Sequence, residues 1–173
     1  DPRVVALVAA AAALAWLWIV NERAAREPLV DMRMMAIRGV WTVNLAAFLV
    51  GAGMYSSFVL IPEFVETAKS AGYGFGASVT GAGLFMLPST VTMLIAGPIG
   101  GRLSNKVGPR ALLVAGCAFL MVSFLMLALM HDAALDIYIA AALLGFGVGL
   151  AFAALANLIV EVVPPSQTGV ATM

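Results

Sequence analysis

The chain has 173 residues, of which 63% are hydrophobic and 10% charged. A water-soluble domain carries roughly 25% charged residues, so most of this surface is built for lipid. Nine basic and nine acidic residues cancel, which excludes a nucleic-acid binder with its basic face, and one cysteine and one histidine cannot build a disulfide or a metal cluster. No cofactor is implied.

The charges divide the chain into uncharged runs: Val4–Val20, Gly39–Pro62, Ser70–Gly101, Ala111–Met130 and Ile137–Val160. A hydrocarbon core of about 30 Å takes roughly 20 helical residues. Each run is about one span, and the longest holds a span plus an uncharged loop. Gly72-Tyr73-Gly74-Phe75-Gly76 divides that run, because alternating glycines oppose a helix, and the span begins near Ser78. The expected fold is all-α, a polytopic transmembrane helical bundle with spans 4–20, 39–62, 78–100, 111–130 and 137–160 and no β-sheet.

The first span, in segment 1–20, contains no charge from Val4 to Val20. Loop 21–38 follows, with Arg23, Arg26, Arg33 and Arg38. Residues 63–77 hold Lys69 beside Glu63 and Glu66; 102–110 hold Arg102, Lys106 and Arg110 with no acid; 131–136 hold two aspartates and no Lys or Arg. Basic loops stay in the cytoplasm, so 21–38, 102–110 and 161–168 are expected there, in a multi-pass protein of the cytoplasmic membrane. The chain opens on Asp1-Pro2-Arg3 without Met or a signal-peptide pattern, and Gly169–Met173 reads as entry into another span. Both ends suggest a piece of a larger membrane protein.

In the second span Asn44, Phe48, Gly51, Tyr55 and Phe58 are spaced four, three, four and three apart and share one helix face. An amide in hydrocarbon needs a partner, so this face meets protein or water; it either lines a substrate pathway or glues two helices. In the third span Pro88 removes a hydrogen bond and clashes with the Leu84 carbonyl, which predicts a kink with Ser89, Thr90 and Thr92 serving the freed backbone groups. The connection after it, Gly97 to Arg110, is glycine-rich and basic. Gly97 and Gly101 are expected to permit close helix approach, Asn105 to cap, and Pro109-Arg110 to open the next helix.

The fourth span has only Cys117 and Ser123 as polar residues and reads as lipid-facing scaffold, with Cys117 as a small buried hydrophobe. In the fifth span Ala141, Gly145, Gly149 and Ala153 form a small-residue seam for close packing, and the same spacing carries the line to Asn157, which joins the pathway residues.

Residues Gly101-Arg102-Leu103-Ser104-Asn105-Lys106-Val107-Gly108-Pro109-Arg110, with Leu113, resemble the loop Gly-x-Leu-Ala-Asp-Arg-x-Gly-Arg-Arg-x-x-Leu of the major facilitator superfamily. Asn105 stands where the family usually has aspartate, and an amide can cap but cannot form the charged latch. Arg26–Met34 resembles the Glu-Pro-Leu-Leu-Asp-Leu-Arg-Leu-Phe segment of the 14-helix drug:proton antiporters, and Val163–Ala171 resembles their Val-Pro-Pro-Glu-Arg-Arg-Gly-x-Ala loop. The resemblance implies that residues 1–20 are the second linker helix and that 39–173 begin the C-terminal six-helix half. Gly101, Leu103, Asn105, Lys106, Gly108 and Arg110 would then form a gating loop.

The resemblance further implies a secondary active transporter that exports small hydrophobic or cationic molecules. Its coupling ion would be the proton, and its partners the bilayer, a small-molecule substrate and the N-terminal half of the same chain. No uncharged run contains Asp, Glu, His, Lys or Arg, so the coupling carboxylate is expected in that other half. The competing readings are a nutrient facilitator or symporter of the same superfamily and a non-transporting membrane scaffold. No Ser/His, paired-carboxylate or metal-ligand set falls inside a span, which argues against an enzyme.

Overall fold

Among the described residues of the computed structural model, five helices are each long and apolar enough to cross a membrane. The structure describes the backbone of residues 2–24 and 35–162, and the side chains of 2–22 and 35–159. The helices are α1 (Pro2–Ala24), α2 (Arg38–Glu66), α3 (Val79–Val107), α4 (Pro109–Leu129) and α5 (Ala134–Val162). A short 3-10 turn, Lys69–Ala71, lies between α2 and α3, and no strand occurs among the described residues. Each expected span has its helix. The Arg26–Met34 and Val163–Ala171 segments lie outside the described residues.

α5 is the central element. It packs along its length against α3 and α4, and over a shorter stretch against α2. It has buried residues on every turn from Ile137 to Leu158, with Ile139, Phe152 and Ala156 exposed, whereas α1 is exposed nearly throughout. α4 buries only one stripe, Leu112, Gly116, Leu120 and Ser123, and leaves Val114, Met121 and Leu125 exposed, as expected of scaffold. Cys117 lies about 100° around the helix from Gly116 and is exposed. The expectation that it is buried is therefore corrected: α4 presents Gly116, not its neighbour, to α5.

Small residues set the helix spacing. A Cβ on Gly145 would collide with the backbone of Ser89, and one on Gly149 would stand 2.7 Å from the Ala96 Cβ. On the other side of α5, Gly147 and Gly116 face each other, each with the partner's carbonyl within 2.9 Å of a Cβ position. In a membrane, such close approach supplies the van der Waals contact that drives helix association.

Two hydroxyls add interhelical bonds. Thr92 Oγ1 donates to the Ala142 carbonyl at 2.8 Å, and the buried Ser123 Oγ donates to the Ala140 carbonyl at 2.7 Å. Ser123→Ala is expected to lower stability by about 1 kcal/mol, read as a fall in melting temperature of the detergent-solubilised protein. An unchanged melting temperature would mean that this bond adds nothing to the α4–α5 contact.

α3 continues as one helix through Pro88. Its neighbouring hydroxyls do not serve Leu84 as anticipated: Ser89 and Thr90 donate to the Met86 carbonyl, and the single Thr92 proton is shared among the carbonyls of Pro88, Ser89 and Ala142. The α2–α3 connection follows its glycines. Gly72, Gly74 and Gly76 all have positive φ, and a Cβ on Gly74 would strike the Thr67 carbonyl. Ser78 caps α3, its Oγ accepting from the Gly81 N–H at 3.2 Å.

Candidate functional site

α2 buries Val43, Val50, Ser57, Ile61 and Val65 against the bundle. The Asn44–Phe58 line lies roughly a quarter-turn away and faces outward. Phe48 is 70% and Tyr55 72% exposed; Asn44 and Phe58 are also exposed, and Gly51 is half-buried. Asn44 Nδ2 donates to the Met35 sulfur at 3.3 Å, a weak acceptor that leaves the amide carbonyl available. Leu49 and Leu60, on the reverse face, are exposed as well. The two exposed faces differ in chemistry: one carries an amide and a phenol, the other hydrocarbon.

Asn157 takes a different environment. It is half-buried on α5, and its Nδ2 donates to the Ala153 carbonyl of its own helix at 3.0 Å, so no hydrogen bond joins it to the α2 face. Gly145 and Gly149 are occupied by the α3 contact.

The 101–110 connection is far shorter than its sequence suggests. Leu103, Asn105 and Lys106 extend α3 to Val107, Pro109 is the first residue of α4, and Gly108 alone joins the helices. Gly108 has φ 84° and ψ 148°; its N–H donates to the Ser104 carbonyl and its own carbonyl accepts from Leu112. This corrects the capping role expected of Asn105, which is an exposed residue within the last turn of α3; the C-terminal cap of α3 is Gly108. Arg110 is exposed at the start of α4.

The close-approach glycine also shifts. A Cβ on Gly97 or Gly101 would meet nothing within 4 Å, whereas one on Gly100 would lie 2.9 Å from the Ala153 Cβ. The buried line of α3 is Ala96, Gly100 and Ser104, spaced by four. That spacing is visible in the sequence, but so is the Gly97–Gly101 spacing one residue out of phase. A string of rings was also missed: Phe64 stacks on Tyr73, meets Phe75 edge-on, and Phe75 leads through Phe85 to Tyr138. It fastens α2, the 67–78 connection, α3 and α5 at one end of the bundle.

The chain matches the Major Facilitator Superfamily over residues 3–173. It belongs to that superfamily. Among curated relatives of this major facilitator chain, the multidrug transporter protein MdtP of Bacillus subtilis is 27% identical over 157 residues, covering 90% of the chain and 28% of that protein. The multidrug resistance protein Stp of Mycobacterium tuberculosis is 27% identical over 165 residues, covering 91% of the chain and 28% of Stp. Multidrug resistance protein 3 of Bacillus subtilis is 29% identical over 140 residues, covering 80% of the chain and 26% of that protein. The chain thus spans under a third of the length of these relatives. No solved structure matches it. The all-α bundle of five spanning helices is consistent with a partial major facilitator fold.

Proposed function

We propose that this chain is the second linker helix and the first four C-terminal-half helices of a 14-helix drug:proton antiporter. The whole protein exports small hydrophobic or cationic compounds across the cytoplasmic membrane. The observation that carries this reading is the exposed polar and aromatic face of α2. Tyr55, at 72% exposure, and Asn44 would be penalised in lipid, so this face meets the aqueous pathway between two halves. Aromatic rings there suit apolar and cationic substrates. The names of the multidrug relatives support the same substrate class.

In this reading the basic α3–α4 joint is cytoplasmic and controls exchange between states, and the coupling carboxylate belongs to the N-terminal half. The test is proton-driven extrusion of a cationic dye by vesicles containing the intact protein. Extrusion abolished by a protonophore supports the proposal; dye movement indifferent to the proton gradient overturns it.

The pathway face has its own test. In the intact protein made cysteine-free, Cys117 included, cysteines at 44, 48, 51 and 55 are expected to react with a small water-soluble thiol reagent, with substrate protecting some of them. Cysteines at 46, 49 and 60 are expected to stay comparatively inert. Equal reactivity on both faces would reduce the line to helix–helix contact.

A further inference from the structure

The reverse face of α2 carries a second concavity. A cavity of about 460 Å³ opens between the last turns of α2, the 67–78 connection and the last turns of α4, with the buried Ile137 of α5 behind it. This volume lies within the roughly 300–1,000 Å³ of small-molecule sites. Phe64, in its wall, is nine residues from Tyr55, about 180° around the helix, and Glu63 is about 80° from Tyr55, so the cavity faces away from the pathway line with Glu63 on the side nearer to it.

The wall is apolar with one charge. Leu60, Phe64, Tyr73, Phe124 and Leu127 supply hydrocarbon and rings, and Glu63 supplies a carboxylate that no cation pairs among the described residues. The two hydroxyls in the wall are already committed: Ser57 donates to the Gly53 carbonyl at 2.9 Å and Thr67 to the Glu63 carbonyl at 2.7 Å. Phe64 is held in place by Tyr73 at 6.0 Å between centroids, by Phe75 at 6.0 Å and by His131 at 5.6 Å. The wall is therefore formed before any ligand arrives.

We infer that this cavity binds an amphiphilic organic monocation, an ammonium on an aromatic or alkyl body, at a site separate from the pathway face. The ammonium lies against Glu63 and the aromatic edge of the cavity, where a carboxylate and ring faces attract the same charge. The apolar body fills the space among Leu60, Phe124 and Leu127, reached from the exposed hydrocarbon of α2 and α4. A phospholipid amine is the weaker occupant. The helix ends and connections at this end carry Glu63, Glu66, Asp132 and Asp136 against Lys69 alone, and this excess of acid repels the phosphate that accompanies a lipid amine.

The experiment uses the intact protein in phosphatidylcholine nanodiscs and a benzophenone-bearing alkyltrimethylammonium, with labelled peptides located by mass spectrometry. Saturable labelling is expected within residues 57–67 and 124–128. Glu63→Gln should reduce it at least tenfold, and a neutral analogue with carbon in place of the ammonium nitrogen should not label saturably. Phe124→Ala should also weaken labelling, while Phe48→Ala should leave labelling at 57–67 unchanged. Labelling confined to the 44–58 face, or insensitivity to Glu63→Gln in a variant with unaltered size-exclusion behaviour, overturns the inference. Loss of labelling in phosphatidylethanolamine nanodiscs would assign the cavity to lipid and overturn it equally. Dye extrusion can fail while this labelling succeeds, so the two proposals are separately testable.

Discussion

Gly145→Ala is expected to separate α3 from α5 and to cause a large loss of stability for a single added methyl. The added Cβ would fall on the Ser89 carbonyl and within 2.6 Å of its Cα. A side chain in the way could rotate aside, but backbone cannot, so the helices must move apart. Overpacking of this kind costs about 1–3 kcal/mol, and the upper end is expected because the Thr92–Ala142 hydrogen bond spans the same interface. Gly83→Ala is the matched control. Its Cβ would meet nothing within 4 Å, and the substitution exchanges glycine for a better helix former, worth up to about 1 kcal/mol. Thermal unfolding in detergent should therefore show a clear fall for Gly145→Ala and no fall for Gly83→Ala. Equal melting temperatures would mean that the α3–α5 contact is looser than described.

Under the proposed function, Gly108→Ala is expected to disable the α3–α4 joint and slow transport of every substrate together. With φ 84° and ψ 148°, Gly108 occupies a region that is essentially restricted to glycine, at a cost of about 1–3 kcal/mol for other residues. Because one residue makes the whole connection, the strain has no neighbouring loop in which to relax. Asparagine separates this geometry from an ordinary left-handed turn. Gly72, at φ 84° and ψ −4°, lies in the left-handed helical region that asparagine tolerates, so Gly72→Asn should be nearly silent. Gly108→Asn should be as damaging as Gly108→Ala. The measurement is initial extrusion rate for two unrelated dyes at equal expression. A changed preference between the dyes, with turnover retained, would place Gly108 in substrate recognition instead of the joint.

Five spans, the position of the α2–α3 connection and the start of α3 near Ser78 were readable from the chain alone, because each depends on local chemistry. Charges are costly in hydrocarbon, so their absence marks the membrane-embedded lengths; alternating glycines oppose a helix wherever they occur. Helix ends follow a different rule. α3 runs past the uncharged stretch through Arg102 and Lys106 to Val107, because a basic side chain leaves the bilayer core without interrupting backbone hydrogen bonds. Charge patterning therefore delimits the lipid-facing length and underestimates the helix. The polar line on α2 was likewise visible from its spacing, and the fold leaves it exposed.

Tertiary structure decided which small residues matter. Gly97, Gly100 and Gly101 are alike in composition, but only Gly100 lies on the α3 stripe that α5 crosses. Gly116 faces α5 and Cys117, one residue on, faces outward for the same reason. The cavity beside Glu63 forms where α2, α4 and the ring-fastened connection diverge around Ile137. A helix's length and polarity are properties of its own residues, but its contact face and the space beside it depend on the matched shapes and crossing of its neighbours.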